Sequence, residues 1–178
     1  LRRMYHVGVY IDGATVKRMK STVVKNMKES ELATRKWLYA QFPKKGKEYW
    51  KELPFKDANV RSVLYGRDML NIPVTRTTKG GLPSVDAKCL KLLQETIPEI
   101  EHLLRYNKFE KLNSTYCDSL AEKFQVMKDG RLWMPVRVNP LATKTGRRAS
   151  DEPNFQNWPV PVRRLIVSRF PGGIIADN

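Results

Sequence analysis

The sequence predicts an α+β fold in which long helices come first and a small sheet begins after about residue 125. Three observations carry that expectation. Apolar residues recur at three- and four-residue steps over 14–38 and again over 109–124, which is the helical period; Asp129 and Gly130 sit between two apolar runs, which is a hairpin signal; and no internal repeat or low-complexity tract interrupts the pattern. The 178 residues suffice for one ordinary domain, or for one and part of another, with a real core.

"GVYID", residues 8–12, alternates around a short apolar core and ends in Asp12, whose carboxylate can cap a following helix. From Ala14 onward Val16, Met19, Val23 and Met27 form an apolar stripe, with Lys17, Lys20, Lys25 and Lys28 mostly off it. The pattern carries to Trp37 and Leu38, a helix of about seven turns. "FPKKGKEYWKELPF", residues 42–55, contains two prolines, a glycine and clustered lysines, and reads as a loop or a variable insertion. A short helix follows at 58–66. "TTKGGLPS", residues 77–84, is a turn, and Ser84 is placed to cap a helix running to about Thr96. Pro98 starts a further helix of roughly 25 residues, with the seam Phe109, Leu112, Tyr116, Leu120 and Phe124 along it. Beyond it "VMKDGRLWMPVRV", residues 126–138, reads as a hairpin, "TKTGRRASDEPNFQNWPV", residues 143–160, as irregular structure, and "GGIIADN", residues 172–178, as a short buried strand.

Thirty-three basic residues against eighteen acidic ones leave a net charge of +15, a balance that points to polyanionic partners and first to nucleic acid. The basic residues run from Arg2 to Arg169, so the charge belongs to folded segments rather than to a tail. A solvated basic surface, or charge balanced elsewhere in a larger protein, is the competing explanation. Cys89 and Cys117 lack metal or redox spacing and read as reduced thiols, which suits a cytosolic setting. No apolar run approaches the roughly 20 residues of a membrane span, and the N-terminus lacks a signal-peptide core, so a soluble chain with no membrane partner is expected. His6 and His102 are isolated, and no Walker, Rossmann, zinc-finger or Ser/His/Asp pattern is present.

Three groups of residues can carry chemistry. Lys111, Asn113, Ser114 and Thr115 project donors away from the apolar seam, as phosphate oxygens require and as any solvated helix face also does. Gly146 allows close backbone approach beside Arg147, a rigid fork of donors, and Asn154, Gln156 and Asn157 add amides that suit base edges or sugar oxygens. Such amides also satisfy the backbone of their own loop. Asp177, at the end of an apolar strand, is placed either to bind a metal or to cap; two-metal phosphoryl transfer needs at least a second carboxylate, and no other acidic residue has an obvious claim.

Four segments, in this order, resemble the family A DNA polymerases, the bacterial polymerase I and phage T7 type. They are "GVYID", "VTRTTKGGLPS", "LLRYNKFEKLNSTYCDSL" with its Ser-Thr-Tyr, and "DGRLWMPVRVNPLATKTGRRASDEPNFQNWPV" with its Thr-Gly-Arg and Pro-Asn-x-Gln-Asn; "VRRLIVSRFPGGIIAD" then looks like the approach to the first catalytic motif. The resemblance covers nearly the whole chain. It implies a long-helix thumb over 1–125, followed by the first β-strands of a polymerase palm over 126–178. It also implies template-primer DNA and dNTPs as partners and Mg2+ as cofactor, two ions in the complete enzyme.

Carried over residue by residue, the resemblance makes Arg147, with Thr145 beside it, the reader of the minor groove at the primer end. Asn154, Gln156 and Asn157 become contacts to template-primer sugars and base edges, Lys111, Asn113 and Ser114 grips on the DNA backbone, and Asp177 the catalytic, magnesium-binding carboxylate. The setting implied is the cytoplasm of a bacterial or phage-infected cell, with an organelle left open. Arg148, Ala149, Phe155 and Trp158 depart from the family's usual residues, Lys56 stands where the family usually has Asn, and Asn178 where it usually has an aromatic, which suggests a divergent, phage-like member. The fingers helix and second catalytic carboxylate are not in this sequence, so the rest of the polymerase is expected in the same chain or in a second subunit. The competing expectation is a noncatalytic basic nucleic-acid-binding module or a subunit of a split polymerase.

Overall fold

Asp12 sets the junction between the first strand and the first helix. In the computed structural model, which describes residues 8–139, 149–151, 157–168 and 170, strand β1 (Val9–Asp12) runs straight into helix α1 (Gly13–Gln41). Asp12 Oδ1 accepts from the Ala14 amide at 3.2 Å, and Oδ2 accepts from the Thr15 amide at 3.0 Å and from the Thr15 hydroxyl. Donors left free at a helix start are satisfied in this way. The Thr15 hydroxyl foremost, then the amides, hold the Asp12 carboxyl below the ordinary carboxylate range.

The chain divides into two compact units, one of residues 1–23 with 111–178, the other of residues 24–110. In the first, β1 lies inside a four-stranded sheet of order β2-β3-β1-β6, with β2 (Gln125–Val126), β3 (Arg131–Met134) and β6 (Ile166–Val167). All its pairings are antiparallel: Val9 faces Met134, Ile11 faces both Leu132 and Ile166, and Val126 faces Leu132. The expected hairpin forms with a tight loop at Asp129 and Gly130. Met127 N–H donates to Arg131 at 2.8 Å, Gly130 N–H donates to Met127 at 3.0 Å, and Gly130 takes φ 79°, the left-handed conformation glycine adopts freely. Gly8, at φ 61°, is confined further, since a Cβ there would collide with the Trp133 indole and the Met134 carbonyl. Ile11 and Val162 are fully enclosed in this unit, and Phe124, Met134, Trp158 and Leu165 are buried.

Part of the segment expected to be irregular is ordered. β5 (Ala149–Asp151) pairs antiparallel with β4 (Arg137–Asn139), and helix α7 (Val160–Arg163) begins after Pro159 with a further proline in its first turn. Three residues are too few to show a period, and their partner strand is not adjacent in sequence, so the pairing left no local pattern to read. The rest of that segment and "GGIIADN" lie outside the described residues, apart from Asn157, Trp158 and Pro159.

The second unit corrects the expectation for residues 42–55. After a 3-10 turn at Pro43–Lys45, Lys47–Glu52 forms helix α2. Its proline and glycine punctuation is outweighed by Trp50, which is 1% exposed and clusters with Leu38 and Val63. Arg35 secures it: Nη1 donates to the carbonyls of Trp50 and, at 3.0 Å, Leu53, while Nη2 meets Glu31 at 2.7 Å. The same guanidinium lies 4.7 Å over the Phe55 ring, which meets Tyr106 edge-on at 5.1 Å.

Helix α3 (Asp57–Tyr65) matches the short helix expected at 58–66, and its N-cap is Lys56, whose side chain makes no capping bond. Helix α4 (Ala87–Gln94) is capped by Asp86 rather than Ser84: Asp86 Oδ1 accepts from the Cys89 amide at 2.7 Å, and buried Ser84 accepts from the Asp86 amide at 3.3 Å. Both are capping residue types two positions apart, and the acceptor nearer the helix takes the role. Helix α5 (Ile100–Lys111) starts two residues after Pro98. Leu64, Cys89, Leu90, Ile100 and Leu103 make the main core of this unit. Cys89 and Cys117 are both unpaired and buried.

Two substitutions test this construction. Lys56→Asn supplies the missing acceptor at the α3 N-cap and is expected to stabilise the protein by about 1 kcal/mol, read as a higher urea midpoint with an unchanged m-value. Arg35→Ala leaves the α2 carbonyls and Glu31 without their half-buried donor and is expected to cost about 2–3 kcal/mol, of which Arg35→Lys recovers only part because it lacks the planar fork.

Candidate nucleic-acid interface

Leu112–Asp118 is π-helical, and α-helix resumes only as α6 (Ser119–Lys123), so the long helix expected after Pro98 is interrupted. A π turn inserts one residue into the helical ladder and rotates the downstream side chains by roughly 100°. The buried positions therefore step from Leu112 to Cys117, and Tyr116, expected in the seam, is only half-buried. Burial pushes the Cys117 thiol up, away from reactivity.

The interruption sorts the polar residues. Lys111, Ser114 and Thr115 are exposed, whereas Asn113 is half-buried. Asn113 Nδ2 donates to Asp118 Oδ2 at 3.2 Å, and Asp118 Oδ1 accepts from Lys20 Nζ at 2.8 Å. The hydrogen bond to Asp118 raises the Lys20 pKa. A carboxylate accepts only from the amide nitrogen, so Asn113 has one possible orientation, which leaves Oδ1 buried without a protein donor. The Ser119 hydroxyl donates to the Thr115 carbonyl at 2.5 Å. Sequence reasoning placed Lys111, Asn113 and Ser114 together as outward donors; the structure keeps Lys111 and Ser114 outward and turns Asn113 inward. Lys17, Arg18 and Lys20 are all exposed on α1 in the same unit, and Lys20 is tied to the π turn through Asp118.

Asn157 is exposed, and Trp158 beside it is buried, 6.4 Å from the Phe124 ring. That departure from the family pattern is a packing residue. Thr145, Arg147, Asn154, Gln156 and Asp177 lie outside the described residues. In the second unit, the paired-glycine turn forms a small closed loop: Thr78 N–H donates to Leu82 at 2.7 Å, Gly81 N–H to Thr78 at 3.0 Å and Ser84 N–H to Arg76 at 2.8 Å. Arg76, Thr77, Thr78 and Lys79 on it are exposed, a group of donors that sequence reasoning treated as a turn alone. The signal was present in the run of Thr and Lys beside the glycines. Among the described residues, no group of three or more His, Cys, Asp or Glu side chains stands together to hold a metal ion, and none of their helices is long and apolar enough to cross a membrane.

Asp118→Ala removes the partner of both Lys20 and Asn113. Amide hydrogen exchange across residues 112–119 is expected to quicken by roughly an order of magnitude, with exchange across 87–104 unchanged.

Residues 56–171 match the model of DNA polymerase family A. The thermostable DNA polymerase I of Thermus aquaticus is 38% identical over 112 residues, 62% of this chain and 13% of that protein. DNA polymerase I of Bacillus subtilis is 28% identical over 166 residues, 90% of this chain and 16% of that protein. The chain thus spans well under a fifth of the length of these relatives. The structure is similar to the POL domain of Pol1 from M. smegmatis, solved in complex with DNA primer-template and dNTP, with a TM-score of 0.69 at 26% identity, covering 93% of this chain and 27% of that one. A family match across more than half its residues, over a fold of long helices and a small antiparallel sheet, places this chain in DNA polymerase family A.

Proposed function

We propose that this chain is part of a DNA-directed DNA polymerase that binds template-primer duplex and extends the primer by two-metal nucleotidyl transfer. The observation that carries the proposal is the family match over residues 56–171, which contains both the π turn and the Thr-Gly-Arg and Pro-Asn-x-Gln-Asn segments. In this reading residues 1–125 act as thumb and 126–178 as the beginning of the palm. The remainder of the polymerase is supplied by the same chain or by a second subunit, in the cytoplasm of a bacterial or phage-infected cell.

Lys111 and Ser114 donate to phosphate oxygens, which carry no sequence information and suit an enzyme that must accept any template. Asn113 supports that grip by bracing the turn against Asp118. Arg147, with Thr145 beside it, reaches the minor-groove acceptors shared by all base pairs, so that pairing geometry is sensed without reading sequence. Asn154, Gln156 and Asn157 hold sugars and base edges nearby.

Asp177 contributes a carboxylate to the metal site, and dNTPs are the substrates. Magnesium, when bound, supplies the Lewis acidity of two-metal transfer. The described residues themselves assemble no such site.

Arg147→Ala in the complete polymerase tests the reading. Primer extension is expected to fall about tenfold or more, most beyond mispaired primer ends, while duplex affinity changes by less than about threefold. Equal losses of binding and extension count against the role given to Arg147. Duplex binding without extension, with every polymerase part present, makes the chain a noncatalytic clamp.

A further inference from the structure

Asn157 is exposed, and every residue from Trp158 to Leu165 that turns inward from there is held. The buried Trp158 ring lies 6.4 Å from that of Phe124, at an interplanar angle of 47° and within the range of ring contacts. Phe124 is itself buried and closes α6, so the surface that receives the indole is the end of a helix. Pro159 has the φ of −63° that its ring imposes, and its carbonyl accepts from the amides of Val162 at 2.9 Å and Arg163 at 3.1 Å. Val162 is fully enclosed, Leu165 is buried, and the Leu165 carbonyl accepts from the Asp12 amide at 3.4 Å, which ties the block to β1. Asn157 therefore stands one residue outside a packed block.

An amide carried on a free loop loses backbone and rotamer freedom each time it engages a ligand. Here the backbone that follows Asn157 is already ordered. Trp158 precedes a proline, which confines its own backbone to extended conformations, and burial of the indole fixes its ring. Val162 and Leu165 hold α7 to the sheet, but the indole belongs to the residue directly bonded to Asn157, so where the ring sits decides where the amide starts. A shorter aliphatic side chain would leave the space beside Phe124 part empty and the backbone free to settle into it. Trp158 is one of this chain's departures from the family pattern, so the effect is a property of this chain.

We infer that Trp158, braced by Phe124, is a positioning residue for Asn157 and acts on nucleic acid only through that amide; the inference rests on the polymerase reading, in which Asn157 contacts template-primer sugars and base edges. A misplacement of about 1 Å at such a contact costs up to roughly a hundredfold in rate. In the complete polymerase, Trp158→Leu is expected to lower kcat for primer extension about tenfold while KM for the duplex changes by less than about threefold. Trp158→Phe, which again sets a ring against Phe124, should stay within about threefold of the wild type. Both substitutions leave a cavity and lower the thermal midpoint, so extension is measured well below the midpoint of every variant. A double-mutant cycle decides the matter. In an Asn157→Ala background, Trp158→Leu and Phe124→Leu should each add less than about a twofold further loss, because the group they aim is gone. A further loss there as large as in the wild-type background makes Trp158 a general packing residue and overturns the inference, as does an unchanged kcat in Trp158→Leu alone. Both results leave the polymerase reading standing. Absence of primer extension by the complete wild-type protein overturns both.

Discussion

The pairing of β1 with β3 and β6 is the constraint on which the rest of the first unit depends. Val9 must find Met134, and Tyr10 must find both Trp133 and Val167, across most of the chain. Closing so long a loop costs conformational entropy that only a well-buried strand repays. Ile11, fully enclosed, supplies that burial, and Gly8 allows the chain to enter the strand beneath the Trp133 indole. Asp12 then turns the strand into α1 within one residue. Strand and helix register are thus set together: a slip of one residue in β1 would expose Ile11 and move the cap away from the amides it serves.

Much of this was legible because long elements repeat their period. The apolar stripe of α1 was readable over about seven turns, and Asp12 and Asp129-Gly130 are punctuation with a direct stereochemical meaning. The features that escaped are those where local signals are silent or compete. Trp50 outweighs a segment full of helix breakers only through contacts with Leu38 and Val63 that no window of sequence contains. The π turn was hidden because Tyr116 and Cys117 are adjacent and both acceptable in a core, so the extra residue leaves no gap in the apolar pattern. Of the candidate site, Lys111 and Ser114 were readable as exposed donors. The inward turn of Asn113 was not, because it follows from Asp118 accepting Lys20, a pairing remote in sequence.

Two departures from the family pattern acquire plain physical meanings. Trp158 fills core space against Phe124, so its size answers a packing requirement in this chain. Lys56 occupies a helix N-cap that its side chain cannot serve, leaving α3 to rely on the burial of Val60, Val63 and Leu64. A chain that omits a cap there has its stability elsewhere, in the aromatic and cationic packing around Arg35, Phe55 and Tyr106. Neither departure alters a donor of the proposed DNA grip.

The basic residues divide by how costly their partners are to leave. Arg35 and Glu31 have side chains only 18% and 31% exposed, and the guanidinium also holds two carbonyls, so it cannot turn to a phosphate without undoing the fold around it. Lys20 is intermediate: its side chain and that of Asp118 are 48% and 43% exposed, and Asn113 bonds the other oxygen of the same carboxylate. Lys25 and Lys51 pair with Glu29 and Glu48 in full contact with water, where ion pairs exchange at little cost. The net charge of +15 therefore overstates the cations that fix structure and understates how many can be shared with a polyanion: the acidic residues facing the solvent neutralise the count without withdrawing the lysines from use. Under the proposed polymerase role that division would matter, because a grip on duplex must break and re-form at every step, and only weakly committed cations can release one phosphate for the next without disturbing the scaffold that aims them.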